Sequence, residues 1–345
     1  MTKRHLRVIL LCVGLLVVAG LGVLLRRGPA LYRVTILPSL GGKYVTACGM
    51  NDRGQIVGVS QTAQGEKHMF LWDREKGMQD LGAVEVGNDL AVNDAGQIAG
   101  TMVDANGNGR AFFRDPNGTT QLLGTLGGIQ SCAEAINDPG QVVGRVEMSR
   151  GVYHAFLWDR AGGMRDLGRG HSSRINDRGQ IVFCTSPGVL LVDANTPASG
   201  ISIPIRGIAH LNDNGGVIGC SLASAPRQEA VMWHRGLSAP KSMQLGRNSC
   251  GWAINDANQV LFTREHPARF KLWGRTLVPY HSRCYLHDPA RGSIPLDRYL
   301  PGQPDERFTP VDLNNEGCII LSSRRGAYRP YRAVLLEPIP KRWGR

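Results

Sequence analysis

The sequence predicts an all-β protein, a seven-bladed β-propeller closed by an N-terminal strand and preceded by one transmembrane or signal-anchor helix. An Asn-Asp-type step recurs seven times along the 345 residues, with an apolar residue before it and a β-rich run after it. The recurring asparagines are Asn51, Asn93, Asn137, Asn176, Asn212, Asn255 and Asn314. Successive asparagines are 42, 44, 39, 36, 43 and 59 residues apart, a spacing that indicates a repeat architecture.

Each of these steps has the composition of a tight turn. A glycine stands three residues after six of the asparagines, and Asn258 takes that place in the sixth repeat. Gly and Asn tolerate a left-handed backbone, and Asn and Asp side chains bond their own backbone two residues on, which is typical of a three-residue hairpin connection. We therefore interpret the seven asparagines as structural turn residues rather than as metal ligands or acids.

Each repeat contains short runs with strand character. In the first repeat they are 44–50, 55–60, 68–72 and 78–81, and in the third they are 133–136, 141–146, 154–158 and 164–167. The fourth repeat departs most from the pattern, with Phe183 where other repeats have Gly. The sixth carries an insertion at 265–282, which explains its longer spacing.

The two ends of the predicted domain complete each other. The seventh repeat has only three strands, at 308–313, 318–322 and 332–336, while an extra strand at 32–38 precedes the first repeat. A ring in which the N-terminus supplies the outermost strand of the last blade hides the sheet edges that an open array would expose. The propeller domain is thus predicted at 32–337. A β-solenoid is the alternative, and it fits a four-strand unit less well.

The N-terminal segment, 1–28, has the composition of a membrane anchor. Residues 8–25 carry no charge and follow Lys3, Arg4 and Arg7. As a helix this run is about 27 Å long, close to the thickness of a bilayer core. A cleaved signal peptide and a soluble core helix are the alternatives, but no clean small-residue cleavage site follows. We expect a single-pass membrane protein with its repeats extracytoplasmic, or a secreted protein if the signal is cleaved.

The net charge of +12 belongs to the two ends of the chain. The excess lies in 1–33 and 324–345, including a basic tail at 338–345, whereas residues 34–323 are balanced. A nucleic-acid partner is therefore not expected, because such proteins carry a basic face on the folded domain. The eight cysteines show no Cys-x-x-Cys spacing and do not predict a disulfide framework. Isolated disulfides stay open if the domain is exported.

One pair of motifs recurs across repeats. His-Ala-Phe-Leu-Trp at 154–158 precedes Met-Arg-Asp-Leu-Gly at 164–168, and His-Met-Phe-Leu-Trp at 68–72 precedes Met-Gln-Asp-Leu-Gly at 78–82. With Leu-Gly-Thr-Leu-Gly-Gly at 123–128, these motifs resemble the HAF-type extracellular repeat family. The resemblance implies an exported protein with a propeller-like fold and no established activity. It supplies no catalytic residue.

The histidines and aromatic residues of these motifs have structural interpretations. His68 and His154 are replaced in other repeats by Arg110, Glu229, Arg283 and Arg332, a variety that argues against a shared catalytic role. We expect these side chains at the rim, where a strand begins. Three aromatic pairs are expected in the core between sheets rather than in a ligand site. They are Phe70/Trp72, Phe112/Phe113 and Phe156/Trp158.

One segment has the partial pattern of a calcium loop. Asp104, Asn106 and Asn108 stand at alternate positions before Gly109, and Asp115 falls at the twelfth position. Oxygen ligands at this spacing can wrap a calcium ion. Asn and Gly are also ordinary hairpin residues, and no other repeat has the pattern. The four residues are a candidate calcium site, and no other cofactor is predicted.

No catalytic signature is present, such as a nucleophile elbow, a zinc-protease motif or a phosphate loop. We therefore predict a binding or scaffolding module with a protein or glycan ligand. The alternative is an extracytoplasmic enzyme, a glycan hydrolase or lyase, with its site at the propeller mouth. Carboxylates or histidines gathered at that mouth would favour the enzyme.

Overall fold

The computed structural model of the protein describes residues 31–339, apart from 84–85, 187, 222–227, 268–269, 273–274, 278–279, 301–306 and 325–330. Within these residues the chain forms seven four-stranded sheets and one two-stranded hairpin. The sheets follow one another in chain order, and five of the seven are built from four consecutive strands with antiparallel pairing, as in β10 to β13. They are the blades of a seven-bladed β-propeller, as the sequence predicts.

The first four blades follow a short N-terminal strand, β1 (Tyr32–Ile36). Blade 1 contains β2 (Gly41–Met50), β3 (Ile56–Thr62), β4 (Lys67–Asp73) and β5 (Gly77–Ala83). Blade 2 contains β6 (Val86–Val92), β7 (Ile98–Val103), β8 (Gly109–Arg114) and β9 (Thr120–Leu122). Blade 3 contains β10 (Gln130–Ile136), β11 (Val142–Ser149), β12 (Val152–Asp159) and β13 (Gly163–Arg169). Blade 4 contains β14 (His171–Ile175), β15 (Gln180–Cys184), β16 (Val189–Asp193) and β17 (Thr196–Ile203).

The last three blades include the insertion. Blade 5 contains β18 (Arg206–Leu211), β19 (Val217–Cys220), β20 (Ala230–Trp233) and β21 (Lys241–Ser242). Blade 6 begins with β22 (Ser249–Ile254) and β23 (Val260–Pro267), continues through the hairpin of β24 (Phe270–Leu272) and β25 (Arg275–Leu277), and ends with β26 (Tyr280–Asp288) and β27 (Gly292–Pro295). After a 3-10 turn, η1 (Asp297–Tyr299), blade 7 contains β28 (Arg307–Leu313), β29 (Ile319–Arg324) and β30 (Arg332–Pro338).

Blade 7 is completed by the start of the chain. Its strand order is β1-β30-β29-β28, so β1 is the outermost strand, and the Leu37 N–H donates to the Ala333 carbonyl at 3.0 Å. Blade 7 also shares a buried apolar cluster with blade 1, in which Ile320 and Leu335 pack with Val45. The predicted closure by the N-terminal strand is confirmed.

The core lies between adjacent blades. The Phe113 and Trp158 rings, from blades 2 and 3, have centroids 5.2 Å apart and belong to one buried cluster. All six side chains of the predicted aromatic pairs are at most 7% exposed. Burial of each such ring stabilises the fold by about 1.5–3 kcal/mol. The prediction that these aromatic residues form the inter-sheet core is confirmed.

The fourth repeat has a buried ring at a position where blade 3 has a glycine. In blade 3, Gly144 faces the Phe156 ring, and a Cβ on Gly144 would lie 2.8 Å from that ring. Blade 4 has Phe183 at the corresponding place on β15, where it is 1% exposed. Gly170 provides the space there, since a Cβ on it would lie 2.4 Å from the Phe183 ring. The ring is thus supplied by another strand, which the repeat pattern did not reveal.

By its contacts the chain divides into two units, and the blades lie in residues 34–336. The other unit is 1–33 and 337–345, in which the Ile339 N–H donates to the Leu31 carbonyl at 2.9 Å. In the part of the chain that the structure describes, no helix is long and apolar enough to cross a bilayer. The predicted anchor at 8–25 and the tail beyond Ile339 lie outside the described residues.

Candidate functional site

The seven predicted turns have the expected backbone geometry. In each, the third residue after the asparagine donates its N–H to the asparagine carbonyl, at 2.9–3.1 Å. All seven of these residues have a positive φ, namely Gly54, Gly96, Gly140, Gly179, Gly215, Gly317 and Asn258. Each asparagine Oδ1 also accepts the N–H of the fourth residue after it, at 2.7–3.0 Å.

The asparagine side chains also join the blades to one another. Each Nδ2 donates to the carbonyl of the asparagine in the next blade, at 2.8–3.0 Å. Asn314 completes the circle by donating to Asn51, 263 residues away, at 3.0 Å. The seven side chains are 2–6% exposed. The asparagines therefore hold adjacent blades together, and they place all seven turns around one opening of the channel, here called the Asn-turn mouth.

A second ring lies beside the first. The residue after each asparagine donates its N–H to the side-chain oxygen of its counterpart in the next blade, at 2.7–2.9 Å. Six of the seven residues are aspartates: Asp52, Asp94, Asp138, Asp177, Asp213 and Asp256, with Asn315 as the seventh. Burial, and then the neighbouring carboxylates Asp213 and Asp138, raise the pKa of Asp177 to about 6. The pKa values of Asp94 and Asp213 are raised for the same reasons.

Further inside the channel, polar side chains from four blades line one cavity of about 170 Å³. They are Glu134 on β10, Arg174 on β14, His210 on β18 and Asp312 on β28. A second cavity, of about 200 Å³, shares His210 and Asp312 and reaches the Asn-turn mouth. Because the lining residues come from the innermost strands of several blades, these cavities lie along the channel.

Three of these residues occupy the same repeat position. Arg174, His210 and Asp312 each stand two residues before the turn asparagine of their blade. The other four blades have Gly49, Ala91, Ala135 and Ala253 at this position. Large polar groups at an otherwise small position were a visible signal in the sequence. The strand pattern of the repeats does not reveal it, because it is a departure at a single position.

The buried environment shifts the pKa values of His210 and Asp312 in opposite directions. Burial, and then the nearby Arg174 guanidinium, hold the pKa of His210 well below its usual range, so the imidazole is neutral near pH 7. His210 makes no hydrogen bond to any described residue. Burial raises the pKa of Asp312, although its carboxylate accepts the Met50 and Leu313 N–H groups at 3.0 and 2.9 Å.

Glu134 has a structural partner, which distinguishes it from the other three. Its side chain is 5% exposed, forms an ion pair with Arg145 and accepts the Ser173 N–H at 2.6 Å. Arg145 also lies 4.0 Å from Asp89. Since a buried charge is tolerated when it is paired and hydrogen-bonded, Glu134 fixes this wall of the channel. Arg174, His210 and Asp312 are then the groups best placed to meet a ligand.

Cys48 lines the same cavity without the properties of a nucleophile. Burial, and then the Asp89 carboxylate, raise the pKa of its thiol to about 12. The thiol form therefore dominates at neutral pH, and the thiolate is the reactive species. Among the described residues, one pair of cysteines is bonded, Cys220 in blade 5 to Cys250 in blade 6, with Cα atoms 5.2 Å apart.

The motif histidines connect the two outer strands of a blade. His68 Nδ1 on β4 lies 2.9 Å from the carboxylate of Asp80 on β5, and His154 Nδ1 on β12 lies 2.9 Å from that of Asp166 on β13. The Asp80 hydrogen bond raises the pKa of His68. The two halves of the HAF-like motif thus meet across a strand pair, at the rim, which explains why both recur together.

The structure places Asp115 apart from the other three candidate calcium ligands, Asp104, Asn106 and Asn108. Asp104 precedes β8 and Asp115 follows it, so the six residues of the strand put them roughly 20 Å apart. Asp104 accepts the Asn106 and Asn108 N–H groups, both at 2.9 Å, and pairs with Arg110 at 2.8 Å. Asp115 pairs with Arg160 of blade 3. In the part of the chain described, no group of three or more His, Cys, Asp or Glu side chains could hold a metal ion.

The fold resembles that of several solved structures. An oligogalacturonate lyase in complex with manganese is 10% identical, with a TM-score of 0.56 over 91% of this chain and 98% of that chain. An acylaminoacyl peptidase of Pyrococcus horikoshii is 11% identical, with a TM-score of 0.55 over 87% of this chain and 53% of that chain. A puromycin-hydrolyzing peptidase of Mycobacterium tuberculosis is 10% identical, with a TM-score of 0.56 over 90% and 55%.

This chain therefore spans about half the length of the two peptidases. At identities this low the likeness shows the fold alone, because one fold hosts many unrelated sites. No protein-family model matches the chain, and no curated protein matches it.

Proposed function

We propose that the protein is an exported binding module that holds a small polar molecule in its central channel. The observation that carries this proposal is the cavity lined by Arg174, His210 and Asp312, three polar groups placed in one layer by three different blades. His210 has no hydrogen-bond partner among the described residues, so a bound molecule can satisfy it. Convergent polar groups in a concave site are typical of ligand recognition.

The dimensions and charges of the channel restrict the ligand. The two connected cavities, of about 170 and 200 Å³, are each smaller than the ~300–1,000 Å³ of pockets for drug-sized molecules. The six aspartates of the ring favour neutral or cationic molecules entering from the Asn-turn mouth. A small sugar or a small organic amine meets both conditions.

The first experiment measures thermal unfolding of the full chain in detergent with glucose, L-arginine or spermidine. Binding to the folded state raises the melting temperature as the ligand concentration increases. We expect one of the three to do so for the wild type and not for Arg174→Ala or His210→Ala. Alanine is already present at this position in three blades, so the fold accepts it.

His234→Ala is the matched control, because His234 is exposed at the outer rim and bonds only the Arg235 carbonyl. It should respond to the ligand as the wild type does. A shift that persists in both channel variants would place the binding elsewhere and contradict the proposal, as would the absence of a shift with all three compounds.

An enzyme is the second candidate, and the His210–Asp312 arrangement favours it. A neutral imidazole can accept a proton, a carboxyl group with a raised pKa can donate one, and Arg174 can stabilise an anion between them. Such a set suits glycan cleavage by elimination or hydrolysis. The test is the release of reducing ends from alginate and from dextran. Activity that His210→Ala abolishes would support the enzyme, and a wild type without activity would exclude it for these substrates.

Export and membrane anchoring form part of the proposal. The hydrophobic run at 8–25 supports an anchor, the Cys220–Cys250 bond is of a kind that persists in oxidising compartments, and the HAF-like motifs agree with an extracellular repeat protein. The test is protease treatment of intact cells, or of spheroplasts if the cell has an outer membrane. Degradation of the repeat domain without lysis is expected, and full protection until lysis would contradict extracytoplasmic placement.

A further inference from the structure

Exposed cations from four blades stand at the opening opposite the Asn-turn mouth. Every inner strand runs towards its turn asparagine, so the starts of β2, β18, β22 and β28 surround the other end of the channel, here called the strand-start mouth. Four exposed cations lie within two residues of these starts: Lys43, Arg206, Arg247 and Arg307. None has a carboxylate partner within the described part of the chain.

The net charge of the folded domain does not reveal that acidic and basic side chains gather at different mouths. Residues 34–323 are neutral as a set, which suggested that no charged face exists. In the folded propeller six aspartates gather at one mouth, while these four cations, from blades 1, 5, 6 and 7, stand at the other. A patch of one sign attracts a partner of the opposite sign even when the whole domain is neutral.

We propose that the strand-start mouth binds an acidic glycan, through its carboxylate groups. Three of the four cations are arginines, whose planar guanidinium group forms paired hydrogen bonds with carboxylates. The cations come from separate blades, so a chain with spaced charges can reach several of them at once. This site is independent of the channel site proposed above, because it uses none of the same residues.

The surrounding structure favours a glycan over a lipid surface or a nucleic acid. The insertion that carries β24 and β25 projects from blade 6 at the strand-start mouth. It begins where the pairing of β23 with β26 ends, at Pro267 and Tyr280. A face with such a projection does not lie flat on a bilayer. The Cys220–Cys250 bond indicates an oxidising compartment, where acidic glycans are available and nucleic acids are not the expected partner.

We expect a glycan with one carboxylate to bind weakly and a glycan chain with several carboxylates to bind strongly. An exposed ion pair contributes about 0.2–1 kcal/mol and is screened by salt. Contacts on one polymer add through effective concentration. We therefore expect fluorescently labelled alginate oligomers to bind, guluronate monomer to bind too weakly to detect, and affinity to fall as salt rises.

The test compares two triple variants of the full chain in detergent by fluorescence polarisation. Arg206→Gln, Arg247→Gln and Arg307→Gln together remove three cations from the strand-start mouth. Arg53→Gln, Lys76→Gln and Arg178→Gln remove three exposed cations from the turns on the opposite face and form the control. Losing three exposed pairs should weaken alginate binding by about tenfold or more, and the control should bind as the wild type does.

The outcomes distinguish this site from its alternatives. Equal affinity in both triple variants would place the binding on other cations of the chain and overturn the proposal. Preference for phosphatidylglycerol vesicles or single-stranded DNA over alginate would overturn the glycan assignment. His234→Ala, at an exposed histidine that belongs to neither site, should leave alginate affinity unchanged, and a loss in that variant comparable with the triple variant would overturn the proposal.

Discussion

At the level of single residues, the aspartates after the turn asparagines carry negative charges that destabilise the fold. The hydrogen bonds that they accept do not require those charges. Asn315 takes this place in blade 7, and its amide oxygen accepts the Asp256 N–H at 2.8 Å, as the carboxylates do in other blades. The ring therefore forms equally well with a neutral side chain. Six charges gathered at one mouth repel one another, which suggests that they serve recognition rather than stability.

Asp177→Asn should stabilise the protein at neutral pH. The pKa of Asp177 is about 6 in the folded protein, above its ordinary 3.8, so its stabilising contribution is complete below about pH 4 and is lost as pH rises through about 6. The amide avoids that loss and keeps the oxygen that accepts the Asp138 N–H. We expect a gain of about 1 kcal/mol at pH 7.5, after allowance for solvent screening, and none at pH 4.

Urea unfolding at the two pH values measures this difference. Asp193→Asn, on the next turn of the same blade, is the control, since Asp193 has no place in the ring. A gain for Asp177→Asn that is the same at pH 4 would show that the removed charge is not its cause.

Gly144→Ala should destabilise blade 3 through a steric clash. The added Cβ would lie 2.0 Å from the Cys132 carbonyl oxygen and 2.8 Å from the Phe156 ring. Relief requires a shift of backbone or ring, at about 1–3 kcal/mol for overpacking a core, and more if the strands separate. Gly151→Ala is the matched control, because its Cβ would meet nothing within 4 Å and only its positive φ is unfavourable. Equal losses in urea unfolding would contradict the clash.

At the level of the element, the asparagine turn closes a hairpin and also joins two blades. Asn137 Oδ1 accepts the Gln141 N–H within its own turn, while its Nδ2 donates to the Asn176 carbonyl of blade 4 at 3.0 Å. An aspartate can perform the first role and not the second. This is the physical reason why asparagine, and not aspartate or serine, occupies the position in all seven blades.

Asn137→Asp therefore tests the connection between blades separately from the turn. It keeps the acceptor for Gln141 and leaves the buried Asn176 carbonyl without its donor, next to a buried charge. We expect a loss of about 3 kcal/mol at pH 8, and a smaller loss at pH 4, where a protonated carboxyl can donate again. Chemical unfolding at both pH values measures it, with exposed Asn195→Asp as control. A loss no greater than the control's would contradict the role of the ring.

At the level of the whole molecule, the ring is held by its closure and by a covalent link. The Cys220–Cys250 bond connects blades 5 and 6 across 30 residues of chain. Cys220→Ser should lower the free energy of unfolding by about 3–4 kcal/mol, the entropy of closing a loop of this length. Chemical unfolding without reductant measures the loss. With dithiothreitol the two proteins should become similar, and a difference that persists there would mean that burial of the thiol is responsible.

Features that depend on residues close together in the sequence were predicted correctly, whereas some side-chain contacts between strands were not. The turn at Asn137, the strand that follows it and the core position of Phe156 depend on near neighbours or on simple alternation, and all were predicted. The close packing of Phe183 against Gly170 depends on contacts between strands and was not. Nor was the pairing of His154 with Asp166, although both residues had been identified as parts of one motif.

The sequence by itself determined the architecture: seven units, four strands in each, and closure by the N-terminal strand. It could do so because backbone conformation at a turn and alternation along a strand are local properties, repeated seven times. Only the tertiary structure decided which side chains share the channel. Arg174, His210 and Asp312 are far apart in the chain, and the Asn314–Asn51 bond spans 263 residues. Such groups become neighbours when the ring closes, so their chemistry depends on the complete fold.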